Sequence, residues 1–129
     1  MAAALLERDL QTAGLERTFA VRSAGVGAMP GTPAASGAQE VASACGLDLL
    51  SHRARRLTKE MAHEADFLIA LDEVVEEEIA ILAGDVPVIL WPVDDPYGGP
   101  AAGYKRALTE IEAHVGPFVE ELRRTAGET

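Results

Sequence analysis

The 129 residues predict an α/β fold: a parallel sheet with helices on both faces, in a three-layer α/β/α arrangement. Three observations carry that expectation. Segments with helical apolar spacing alternate with short runs rich in β-branched and aromatic residues. Two of those runs, "DFLIALD" and "VPVILW", are continuously apolar, as strands buried on both faces of a parallel sheet are. Strands separated by helices then pair in parallel, because each connection is long enough for a crossover. With 48% hydrophobic and 25% charged residues, the composition suits one domain over residues 1–129 with a core of its own.

Each element has a local reason. "MAAALLERDLQTAG" places Ala3, Leu6 and Leu10 on one helical face, and Gly14 can stop it. "TFAVRSAG" reads as a strand that leaves into a glycine turn, and "GVGAMPGTPAASG" as a loop. "AQEVASACGLDL" predicts a helix closed by Gly46, with Cys45 buried or half-buried just before the stop. "LTKEMAHEA" is a short helix capped by Thr58. After the strand "DFLIALD", Asp72 caps "EVVEEEIAILAG", which Gly84 ends. "VPVILW" is the last strand, and "GYKRALTEIEAHVGPFVEELRR" a long helix with a kink expected at Gly116-Pro117.

Charge and composition narrow the function. A formal charge of -10 argues against a nucleic-acid partner, since no broad basic surface is present to neutralise phosphates. No apolar run approaches the roughly 20 residues of a membrane span, and "MAAALLERDL" lacks the basic start of a signal peptide. A single cysteine, Cys45, fits a reducing cytoplasm. His52, His63 and His114 show no metal-ligand spacing with one another or with Cys45, so neither a metal nor another cofactor is expected. "GVGAMPG" misses the dinucleotide pattern by one residue, with Pro30 where a helix should start. The cluster "VVEEEI" reads as a solvated helix face.

Functional groups in such sheets gather at the loops leaving the carboxyl ends of strands. Three loops qualify: the one after "FAVRSAG", the turn after "DFLIALD", and "DDPYGGP". "SHRARRLT" holds the one basic cluster, Arg53, Arg55 and Arg56: a solvated loop, or an anion site between a helix and the cap of the next. "DDPYGGP" follows the last strand. A turn requires only its proline and glycines. Pro96 also biases Asp95 to an extended backbone, which would project a carboxyl from the strand end as an acid.

In order along the chain, "SAGVGAMPG", "CGLDLLSHRARRLT", "ADFLIALD" and "DDPYGGPAAGYKRALTEIE" resemble the low-molecular-weight protein-tyrosine phosphatases. The likeness covers almost the whole chain and leans towards the bacterial single-domain members, which include protein-arginine phosphatases. It implies a phosphotyrosine protein phosphatase I-like fold that hydrolyses phosphomonoesters of a protein substrate through a cysteinyl-phosphate. Asp95 would be the general acid and Tyr97 the ring walling the substrate slot. Met29 falls where many relatives place an aromatic wall residue. Ser23 and His52 resemble members of the hydrogen-bond network bracing the phosphate loop, and Arg55 matches an arginine of structural role in that segment.

The family's nucleophile motif, Cys-x5-Arg followed by Ser or Thr, is not among these residues. Six positions after Cys45 stands Ser51, and Met1 falls where the family's first helix begins. The resemblance therefore implies a domain whose first strand and phosphate loop are missing, N-terminally truncated and inactive as it stands. A non-catalytic relative with a binding or scaffold role is the alternative. An arsenate reductase on this fold would need further redox cysteines. The strand before the loop is central in the family fold, so its absence predicts open sheet edges, poor folding or association.

Overall fold

Local capping chemistry sets several of the helix boundaries. The computed structural model describes residues 1–26, 29–94 and 99–127. In chain order the helices are α1 (Ala2–Thr12), α2 (Ser36–Ala44), α3 (Lys59–Glu64), α4 (Glu73–Ala83) and α5 (Ala101–Gly127), with strands β1 (Leu68–Ala70) and β2 (Val88–Leu90) on either side of α4. Thr58 Oγ1 accepts a hydrogen bond from the Met61 amide at 3.1 Å, and Asp72 Oδ1 one from Val75 at 2.7 Å. These are the expected caps of α3 and α4, each satisfying an amide that the first turn leaves without a partner. Gly14, Gly46 and Gly84, at the ends of α1, α2 and α4, adopt φ of 74°, 79° and 59°, the left-handed region that glycine enters without steric cost.

The chain divides into two compact units. The first comprises residues 1–22, 34–51 and 96–129, the second residues 23–33 and 52–95. In the first unit α5 is the organising element, packed against both α1 and α2. Its buried stripe is Tyr104, Ala107, Leu108, Ile111, Val115, Val119 and Leu122, the three-and-four spacing of an amphipathic helix. Leu5, Leu6 and Leu10 of α1, Ala38, Val41 and Ala42 of α2, and Leu15 and Leu49 outside the helices are the other buried apolar residues of this unit. Pro117 lies inside α5. It has no N–H to donate to the carbonyl one turn back, yet one helical element continues through it for 27 residues.

In the second unit β1 and β2 pair in parallel, with Leu68, Ile69 and Ala70 in register with Val88, Ile89 and Leu90. Amide bonds from Trp91 to the Ala70 carbonyl (2.8 Å) and from Val93 to that of Leu71 (2.9 Å) carry the pairing past both strands. Helix α4 makes the crossover and packs on both strands, while α3 packs on α4. Ala62, Ala70, Ile79, Ala83 and Trp91 are the buried residues of this unit.

Three expectations need correction. "TFAVRS" forms no strand: among the described residues the sheet has two strands, β1 and β2. Phe19, Val21 and Ser23 are half-buried while Ala20, Arg22 and Ala24 are exposed, so the two-residue alternation of a strand is present without a ladder. Alternation is local, but a ladder requires a neighbouring strand. Secondly, β1 and β2 are mostly half-buried, and Phe67 is 43% exposed. A two-stranded sheet has only edges, so neither strand is enclosed as a central one would be. Thirdly, Cys45 is exposed. Helix α2 ends at Ala44, and Cys45 at its C-cap turns off the stripe of Ala38, Val41 and Ala42.

Candidate functional site

The segments singled out in sequence meet through backbone pairing within the second unit. Gly25 donates to the Arg55 carbonyl at 2.8 Å and accepts from the Leu57 amide at 3.0 Å, a parallel bridge opposite Arg56. Further along, Gly31 donates to the Ala54 carbonyl at 2.9 Å and Ala54 to that of Thr32 at 2.7 Å. Pro33 and Arg53 form an antiparallel bridge. The loop carrying Ser23 and Met29 is thereby joined to the segment carrying His52 and Arg55. Gly31, at φ 87°, makes the turn on which this joining depends. Hydrophobic periodicity gave no sign of it. The one usable signal was that glycine in a loop rich in small residues.

Around this pairing the predicted residues take different positions. Ser23 is half-buried, His52 and Arg55 are exposed, and Met29 is 76% exposed. Among the described residues no hydrogen bond joins Ser23 to His52. Arg53 Nη1 donates instead to the His52 carbonyl at 2.7 Å. The His52 imidazole is held below its ordinary pKa, chiefly by loss of water, with positive charges, those of Arg55 and Arg53 among them, acting in the same direction. It is therefore a neutral ring at neutral pH, able to donate one hydrogen bond and accept another.

At the carboxyl end of the sheet, the β1 side turns into α4 at Asp72, whose carboxylate is engaged as the cap. That is the structural role expected of it. On the β2 side Asp94 lies one residue past the Val93 bond and is exposed. Asp95 and Tyr97, the acid and the ring of "DDPYGGP", lie outside the described residues.

The family model of low molecular weight phosphotyrosine protein phosphatases matches residues 1–127. The chain belongs to that family. The probable low molecular weight protein-tyrosine-phosphatase EpsP of Ralstonia nicotianae is 31% identical over 131 residues, spanning 95% of this chain and 86% of that protein. A protein-arginine-phosphatase of Geobacillus stearothermophilus is 33% identical over 134 residues, again 95% of this chain and 86% of the relative. Among solved structures, the tyrosine phosphatase Wzb from Escherichia coli K30, in complex with sulphate, superposes with a TM-score of 0.83. Its identity is 25%, covering 94% of this chain and 87% of that one. As a phosphatase-family chain it keeps the family's α/β fold, helices with a parallel sheet. No described helix is long and apolar enough to cross a membrane.

Proposed function

We propose that these residues form the acid-bearing body of a low-molecular-weight protein phosphatase whose substrates are phosphorylated proteins. The main support is the order in which a family member of this kind presents its chemistry. β2 and the Val93 bond lead directly to Asp94 at the carboxyl end of the sheet, where α/β enzymes collect reacting groups, and Asp95 and Pro96 follow it in the sequence. In a form that carries a Cys-x5-Arg loop, the thiolate attacks phosphorus and the P–S bond forms as the P–O bond to the substrate breaks. Asp95 gives its proton to the departing oxygen. The same carboxylate then takes a proton from the water that breaks the P–S bond, returning thiolate and inorganic phosphate. The loop's amides and the helix N-terminus behind it would hold the dianion and keep the thiol ionised.

Ser23 and His52 act in this reading as the braces of that loop, with Arg55 supporting the same segment, and Tyr97 and Met29 line the substrate slot. A neutral His52 suits the role, because a brace must accept as well as donate. A reducing cytoplasmic setting is part of the proposal, on the strength of the single cysteine.

The 129 residues alone contain no Cys-x5-Arg motif, and the proposal holds them inactive. General acid catalysis contributes only about 10²–10⁴-fold, so they should not turn over p-nitrophenyl phosphate. Turnover abolished by Cys45→Ser would overturn that assignment. The positive test adds a strand and a Cys-x5-Arg-Ser loop before Met1 and assays phosphotyrosine and phosphoarginine peptides. Activity should fall by about 10²-fold or more in Asp95→Asn and far less in Asp94→Asn. Equal losses at the two positions, or no activity on either peptide, would count against the reading.

A further inference from the structure

We propose that the outward face of α4 is a docking surface for a basic amphipathic helix of another polypeptide. Val74 is 67% exposed and Ile81 84%, although both are apolar. Seven residues apart on one helix, they stand about 10 Å from one another along its axis and only about 20° apart around it. They form a single apolar line, opposite the side of α4 that Ile79 and Ala83 bury.

The charges on this face decide what can cover it. Glu78 lies about 40° to one side of Val74 and Glu77 about 60° to the other, so carboxylates flank the line between its two apolar ends. Both glutamates are exposed. Residues 73–83 include no Lys or Arg, and among the described residues no ion pair involves Glu73, Glu76, Glu77 or Glu78. Glu73 and Glu76 lie in the first turn, where negative charge interacts favourably with the helix dipole. Glu77 and Glu78 lie beyond it, and Glu77 is repelled by Glu73 one turn earlier. Nothing in α4 offsets these two charges, and a partner's cations would. The carboxylates do not converge as a metal site either, since no such cluster occurs among the described residues.

The complementary helix has apolar residues at i and i+7 and Lys or Arg at i+3 and i+4. Side chains at those offsets share one face, so its cations meet Glu77 and Glu78 while its apolar ends cover Val74 and Ile81. A second copy of the chain fits badly, because a two-fold contact through α4 sets the same glutamates against one another. An anionic lipid surface is repelled in the same way. With two apolar anchors, the contact belongs to the weak, transient class of interface.

The experiment uses the 129-residue chain and a fluorescein-labelled, alanine-based peptide of eighteen residues, long enough to populate a helix. The peptide has Leu at its fourth and eleventh positions and Lys at its seventh and eighth. One control has Ala for both Leu residues, and a second has Glu for both Lys residues. Read by anisotropy, only the Leu-Lys peptide should bind, and less tightly as salt rises. Ile81→Gln should weaken binding about three- to tenfold, and Ile81→Leu should keep most of it. Glu77→Gln/Glu78→Gln should weaken it by a similar factor of about three to ten and flatten the salt dependence. Glu7→Gln/Glu16→Gln removes the same charge from exposed positions of the other unit, and should leave the affinity unchanged. Equal losses from the two double variants would mean that net charge alone is being read, and would overturn the proposal. So would binding of either control as tight as that of the Leu-Lys peptide, unchanged binding by Ile81→Gln, or no binding at low salt. Loss of the chain's own association in Ile81→Gln would show that a second copy covers this face, with the same consequence. Matching far-ultraviolet circular dichroism of the variants ties the losses to the surface.

Discussion

Gly37 is the second residue of α2, and a Cβ built there would lie 2.6 Å from both Cδ2 and Cε2 of Tyr104. Ordinary carbon contacts begin near 3.5 Å, so in Gly37→Ala the ring or the helix must withdraw by roughly 1 Å. The ring cannot swing aside cheaply, since Tyr104 is 5% exposed and part of the buried stripe of α5. Overpacking of this kind costs about 1–3 kcal/mol, whereas alanine in place of glycine in a helix returns about 0.5–1 kcal/mol. The net expectation is a destabilisation of about 1–2 kcal/mol, or roughly 4–8 °C in Tm for a chain of this size. Thermal melts followed by circular dichroism at 222 nm measure it. In a Tyr104→Ala background the clash is gone, and Gly37→Ala should become neutral or stabilising. The coupling between the two sites would then be about 1–3 kcal/mol. A Tm raised by Gly37→Ala in the parent chain would refute the close packing of α2 on α5.

Loss of the α4 cap in Asp72→Ala should cost about 1 kcal/mol, with Asp72→Asn costing less because the amide oxygen still accepts from Val75; urea titrations distinguish them. His52 has its pKa lowered in the fold, so the unfolded chain takes up its proton first as pH falls. Its contribution is therefore fully present above pH 6.5, the unperturbed value, and is lost on acidification towards the lower folded value. His52→Gln should flatten the fall in stability below pH 6.5, and an unchanged profile would rule out that source. The edge of β1 not paired with β2 carries no strand among the described residues, so light scattering should show concentration-dependent association of the 129-residue chain. A strictly monomeric species with one sharp thermal transition would contradict this.

Features whose cause is local were legible in the sequence. Thr58 and Asp72 cap the helices assigned to them, and Gly14, Gly46 and Gly84 follow their helix ends. Each depends on a few neighbouring residues. "TFAVRS" failed for the opposite reason, since its apolar alternation is intact while the ladder it needs must come from elsewhere in the chain. The misplacement of Cys45 came from one residue of helix length, enough to turn a stripe position into an exposed cap. At the site, chemistry-bearing residues could be named by motif, but the bridges joining Gly25 to Arg56 and Pro33 to Arg53 left no periodic trace. Single bridges lack the run of alternating residues by which a strand is recognised.

The division into two units bears on how this protein can be dissected. One unit is assembled from three stretches of chain and the other from two, so the backbone passes between them at 22–23, 33–34, 51–52 and 95–96. No single truncation therefore releases either unit intact. A protease cut after residue 33 would sever the loop of residues 23–33 from its bridge partners at 52–57 in sequence, leaving only non-covalent pairing to hold the fragments together. Each such fragment carries residues of both units, so complementation would test the bridges rather than isolate either half. Any circular permutant opened at one of these crossings would still have to rebuild the other three.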